Sequence, residues 1–257
     1  WTSKDLAEAA VLDLYQGTWA GTLTREETTD AFTDQAVFTH PGRGVDGYTE
    51  SKMNPAGSYM DMQWFSWTQI YPFIRGANLA ILKLTENEAG FDSSFTNRLL
   101  GEAYFMRGYF YSQLMRQYGG VVLTLSPFAL EDEAANPRAS FEQTVNQIIS
   151  DIDQSITLLA DAPVNKSRAH KITALALKAR VLTHAASDLY EPSKNSSIST
   201  IAGYSNKELV SYTGGSQAAR WQAAMAASKA LLDATTGYKL DYSVPASFEE
   251  AKQNYED

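Results

Sequence analysis

Cysteine is absent from the 257-residue chain. That excludes a disulfide framework, a thiolate metal site and a cysteine nucleophile, while leaving an extracytoplasmic location open. No apolar run approaches the roughly 20 residues that a membrane-spanning helix needs. Basic residues are in deficit, with 21 Lys and Arg against 30 Asp and Glu and a net charge of -9. With no basic cluster either, nucleic acid is not an expected partner. Histidine is scarce: His40, His170 and His184 are the full set. The last two share one predicted helix but stand about 21 Å apart along its axis, too far to hold one metal. HExxH, GxSxG, P-loop and EF-hand patterns are missing as well. No metal, cofactor or catalytic group is therefore expected.

What is present suits a folded helical protein. Hydrophobic residues make up 44% and charged residues 20%, enough for a substantial core in one large or two ordinary domains. Aromatics are abundant (5 Trp, 14 Tyr, 11 Phe), which serves both dense helix packing and stacking on sugars. The stretch NRLLGEAYFMRGYFYSQLMRQYGGVVLTL from Asn97 to Leu125 lacks proline, and its pattern predicts a helix over 94–118. Leu100, Tyr104, Tyr111, Met115 and Tyr118 line one side, and Phe105, Met106, Tyr109, Phe110 and Leu114 cover most of the rest. A helix apolar nearly all round belongs inside a larger helical assembly. Arg107 sits amid these aromatics and needs a partner, with Asp151, Asp153 and Asp188 as the candidates. Gly119-Gly120 should end the helix in a left-handed stop.

Further helices are expected over 4–19, with Ser3 as N-cap, and over 61–84, with Pro72 in its early turns. Others are expected over 141–159, capped by Ser140, then over 170–190 and 220–234. Small residues at Ala174, Ala176, Ala179, Ala185 and Ala186 allow close helix approach. Trp67 and Trp221 are read as packing residues. Asn78 is expected to satisfy backbone groups of a neighbouring turn. Val121 to Leu125 reads as a short extended run, and Glu191 to Gln217, poor in pattern, as a surface excursion. Between Gly21 and Tyr59 the periodicity breaks, and an irregular segment of that length is usually functional or disordered.

GEAYFMRGYFYSQLMRQYGGVVL resembles the signature helix of the SusD/RagB family of outer-membrane nutrient-binding lipoproteins. Gly108 replaces the usual alanine there, and Val122 stands where proline is common. Trp67, Tyr71, Ile74 and Asn78 are similar in spacing to a second family pattern. PRASFEQTVNQIISDIDQSITLL, KITALALKARVLTHAASDLY and the Trp221 segment resemble three more, in the same order. The resemblance implies an all-α fold of tetratricopeptide-like helical hairpins with long irregular loops. It implies a single domain over 1–257, with a loop-rich ligand-face segment at 20–60 and helical repeats over 61–257. The family's C-terminal half is expected to be absent from this chain, and any signal peptide and the lipidated anchor cysteine to have been removed.

Pro41-Gly42-Arg43-Gly44-Val45-Asp46-Gly47-Tyr48 looks like the family's P-x-R-G-x-D-W stretch, with Gly47-Tyr48 in place of the tryptophan. Arg and Asp can bracket vicinal hydroxyls while a flat ring stacks on the sugar face; equally, Arg43 and Asp46 can brace a turn. The expected glycan-binding residues are Arg43, Asp46, Tyr48, Tyr59 and Trp64. The same segment formally matches GxGxxG, but it follows no βαβ-type strand and opens no helix, so a dinucleotide site is not expected. Glu26, Glu27, Asp30 and Asp34 read as a solvated acidic loop rather than a glycosidase pair or calcium site, since nothing fixes their separation.

The expectation is thus a non-enzymatic, surface-exposed binder of oligosaccharide or polysaccharide. It would work beside a TonB-dependent (SusC-like) outer-membrane transporter and meet the membrane only through a lipid anchor. A peptide-binding member of the same family and a helical-repeat protein-interaction scaffold are the alternatives, with a glycosidase behind them.

Overall fold

The computed structural model describes residues 1–21, 33–37, 66–127, 136–161, 165, 167–235, 237 and 247–249. Among the described residues, six helices of eleven residues or more carry the fold: α1 (Lys4–Leu14), α2 (Trp67–Glu86), α3 (Ser93–Tyr118), α4 (Phe141–Leu158), α5 (Lys171–Ala186) and α6 (Gln217–Ala234). Among the described residues there is no strand. Each of α2 to α6 packs chiefly on its neighbours in sequence, and α1 lies against α2 and α3. The result is an all-α stack of helical hairpins.

Local chemistry sets most boundaries. The Ser3 hydroxyl accepts from the Leu6 N–H and Asp92 from the Phe95 N–H, starting α1 and α3. Ser140 and Gln143 close a reciprocal capping box at the head of α4. Asn87 stops α2 in the left-handed region (φ 43°), its amide bonding both backbone groups of Phe91.

Four boundaries differ from the sequence reading. Helix α1 gives way at Tyr15 to a 3-10 segment, Tyr15–Gly21, in which Gly17 packs so close to Phe110 and Phe73 that a side chain would not fit. Helix α2 begins at Trp67, because Ser66 has an extended backbone, and it then runs on through Pro72. Helix α5 ends at Ala186, where extended Ser187 separates it from a 3-10 turn, Asp188–Tyr190. Helix α6 starts earlier than expected, at Gln217, where Ser216 caps the Ala219 N–H.

Helix α3 is the axis of the core. Leu99, Met106, Phe110, Tyr111, Leu114 and Met115 are fully buried on it, between Ile70, Ile74 and Leu84 of α2 and Ile148 and Ile152 of α4. Each such side chain contributes about 1.5–3 kcal/mol. Gly119 adopts φ 74° and Gly120 follows with its N–H on the Leu209 carbonyl at 2.7 Å. A Cβ on Gly119 would collide with that same carbonyl oxygen, and one on Gly120 with the Ala139 carbonyl. The glycine pair therefore does two jobs: it stops the helix and admits two other backbones.

That contact corrects the reading of 191–217 as a surface excursion. Leu209, Asn195 and Ser211 are buried, Asn195 donates to Ser211 Oγ at 2.9 Å, and Tyr212 N–H pairs with the Tyr190 carbonyl at 2.8 Å. Trp221 is a second correction. It is 44% exposed, with Met225 and Leu232 more so, because α6 packs chiefly on α5 and buries only the narrow stripe of Ala224 and Ala227. Trp67 does pack as expected, 4.9 Å from the Tyr71 ring and edge-on to Tyr118 at 5.6 Å.

Candidate functional site

Polar chemistry in the described residues concentrates in two buried hubs. The first lies under the chain that leaves α3. Arg107, 5% exposed, donates through Nε and Nη2 to both oxygens of Asp151 at 2.8 and 2.6 Å, and through Nη1 to Asn78 Oδ1 at 2.8 Å. Gln147 donates to Asp151 at 3.0 Å, and the Tyr104 ring lies 5.4 Å from the guanidinium. Burial pushes the Asp151 carboxyl up against the pull of Arg107, and a bidentate partner is what keeps such a group ionised.

The hub then extends to the backbone of the run 121–125, read as extended and without a sheet partner among the described residues. Tyr71 donates to the Val122 carbonyl at 2.6 Å and Asn78 to the Thr124 carbonyl at 2.8 Å. Tyr111 donates to the Thr124 carbonyl and accepts from its N–H. Buried backbone groups need partners, and these side chains supply them in place of a strand. Asn78 thus has the backbone-satisfying role expected of it, and it joins Arg107 besides.

The second hub closes the N-terminal helix onto the stack. Arg98 clasps Glu8 at 3.1 and 3.0 Å, and Arg168 reaches Glu102 through Nε at 2.9 Å and Glu8 at 2.5 Å. Tyr15 donates to Glu102 at 2.8 Å and accepts the Ala169 N–H at 2.9 Å. Its hydroxyl pKa is driven up, first by burial and then by the Glu102 charge. The Glu8 carboxyl is held below its ordinary value, chiefly by the hydrogen bond from Arg98. A cavity of ≈ 600 Å³ opens beside this hub, with Phe95, Asn97 and His170 on its wall. Lys4 and Arg98 both lie over the Phe95 ring, so its face is already engaged within the protein. Sequence reasoning missed this hub because its members lie up to 160 positions apart and share no motif.

Neither hub is arranged for bond cleavage. Its buried carboxylates, Asp151 and Glu102, are both paired with arginines, so none is free as a general acid or base. Among the described residues no cluster of His, Asp or Glu could hold a metal ion, and no helix is long and apolar enough to cross a membrane. The expected ligand residues Arg43, Asp46, Tyr48, Tyr59 and Trp64 lie outside the described residues, as do Glu26, Glu27 and Asp30. What the structure does place is the frame after them: Trp67 against Tyr118, with Tyr71 gripping Val122.

Comparison with known proteins identifies this frame. The family described as SusD-like, starch-binding associating with outer membrane, matches residues 10–182, more than half of the chain. The chain belongs to the SusD-like family. Its match covers the signature helix and the three hub arginines, Arg98, Arg107 and Arg168. SusD-like protein P38 of Formosa agariphila is 32% identical over 141 residues, which is 54% of this chain and 26% of that one. The fold is shared with a solved SusD superfamily protein from Bacteroides thetaiotaomicron at a TM-score of 0.64 and 20% identity, covering 94% of this chain and 48% of that one. A laminarin-binding SusD-like protein matches at a TM-score of 0.60 and 21% identity, over 73% of this chain and 41% of that one. The chain thus spans about a quarter of the length of the curated relative and less than half of these solved ones.

Proposed function

We propose that this chain belongs to a cell-surface glycan-binding protein that captures oligosaccharide or polysaccharide and hands it to a TonB-dependent, SusC-like outer-membrane transporter, breaking no bond. The observation that carries this reading is the SusD-like match over 10–182, a family described as starch-binding and outer-membrane associated. The laminarin-binding relative with the same fold supports a glucan or similar polymer as the ligand class. The saturation of Asp151 and Glu102 by arginine favours binding over hydrolysis.

The ligand face is assigned to the segment 20–60 and its join to α2, with Arg43 and Asp46 bracketing hydroxyls and Tyr48, Tyr59 and Trp64 stacking on sugar rings. In this reading 1–257 is one helical domain, and a lipid anchor outside this chain tethers the protein to the outer membrane. A glycan array followed by calorimetry tests it. Trp64→Ala and Tyr48→Ala should each weaken oligosaccharide binding without lowering the melting temperature, and incubation should release no reducing ends. Stacking with few hydrogen bonds places the affinity at about micromolar to millimolar. Unchanged affinity in both variants, capture of peptides alone, or shortened oligosaccharide would overturn the reading.

A further inference from the structure

A smaller cavity, ≈ 290 Å³, lies between α3 and α5, away from both hubs. Its charged and polar wall is Ser112, Gln113 and Arg116 on α3 with Arg180 and His184 on α5, over an apolar floor that includes Leu177 and Val181. On each helix these residues recur at three and four, so each set forms one face and the two faces meet across the cavity. Among the described residues no carboxylate lines it, although the chain as a whole carries net charge -9. Among the described residues, neither Arg116 nor Arg180 has a salt-bridge partner, whereas Arg98, Arg107, Arg168 and Arg220 all do.

The cations act on the same surroundings. Burial raises the pKa of the Tyr109 and Tyr190 hydroxyls, and the charge of Arg116, joined by Arg180 at Tyr109, works against that rise. His184 is held below its ordinary value by burial and then by Arg116. Its Nε2 sits 2.9 Å from the Tyr190 hydroxyl. The Gln113 carbonyl oxygen accepts from Arg116 at 3.1 Å, which leaves the Gln113 amide N–H₂ and most of the Arg116 fork as donors.

We infer that this cavity is a binding site for an oxyanion, a sulfate, phosphate or carboxylate group, free in solution or carried as a substituent on a sugar. Guanidinium forks match such groups bidentately, and the mutual repulsion of the unpaired cations is relieved when one enters. The volume is at the small end of ligand pockets, which run about 300–1,000 Å³, and fits a single charged group better than a chain of sugars. None of its lining residues belongs to the proposed glycan face, and the inference stands without that reading.

Sodium sulfate, sodium phosphate, a sulfated oligosaccharide with its desulfated counterpart, and an acidic peptide are titrated at low ionic strength. Binding is read by calorimetry and by the side-chain NMR signals of Arg180 and His184. Sulfate should saturate both signals, and Arg180→Gln or Arg116→Gln should weaken it about tenfold or more with an unchanged melting temperature. A sulfated oligosaccharide binding more tightly than sulfate, and losing that advantage in the variants, assigns the anion to a sugar. Equal affinities assign it to the free ion. Three results would overturn the site: no saturation by any oxyanion, affinity untouched in the Arg116/Arg180 double variant, or binding of the acidic peptide alone, which would make this a protein-contact surface.

Discussion

Arg107→Ala would leave the Asp151 carboxylate buried with only the Gln147 amide for company. Truncating one half of a buried ion pair costs about 3–5 kcal/mol, so urea unfolding should show a loss of that order. A change under 1 kcal/mol would mean that the pair is dispensable. The burial of Arg107 was legible in the sequence, because no face of that helix was polar enough to take it to water. Its partner was not, because Asp151 and Asp153 differ by about 200° around α4 and only the register of α3 on α4 decides between them. The structure turns Asp151 inward and leaves Asp153 outward on Lys178.

His184 gives the residue scale a pH test. Its folded pKa lies below the ordinary 6.5, so the unfolded chain takes up the proton first. Its contribution to stability is complete above about pH 6.5 and is lost as pH falls from there towards the depressed folded value. The unfolding midpoint of the parent should drop between pH 7 and 5.5 by more than that of His184→Gln. Parallel curves would show that His184 titrates alike in both states.

At the scale of elements, Gly119-Gly120 and Gly108 make opposite demands. Gly120→Ala puts a methyl into the Ala139 carbonyl, a backbone obstacle with no rotamer to escape through. It should cost about 1–3 kcal/mol or more and loosen the 191–212 segment, seen as earlier proteolysis there. Gly108 faces the Ile152 side chain, where a Cβ would lie 3.2 Å from Cγ1. That neighbour can give, and alanine gains up to about 1 kcal/mol of helix propensity, so Gly108→Ala should be near neutral in the same assay. Helix existence was readable from periodicity, and the Ser3 and Ser140 caps from their position. The 3-10 continuation of α1 and the burial of Leu209 were not, since both depend on a glycine approached from elsewhere in the chain.

The whole molecule is read from the order of its parts. Five family patterns in sequence carried the fold, because each is a helix that cannot bury its face alone and must stack on the next. The candidate glycan residues gave no comparable signal: a loop side chain owes its role to what surrounds it in space, and no period announces that. Trp221 was misread for a related reason. Helical spacing says which residues share a face, but not whether another helix covers it.

The same stacking has a consequence in time. Helix α6 leans chiefly on α5, while α3 is clasped by α2 and α4 and locked by both hubs. Amide protons should therefore exchange with solvent in a graded order, fastest in α6, slower in α5, and slowest in the middle turns of α3, where release requires the entire fold to open. Hydrogen–deuterium exchange read by mass spectrometry would resolve that sequence, and uniform rates from α3 to α6 would mean that the helices come apart as one.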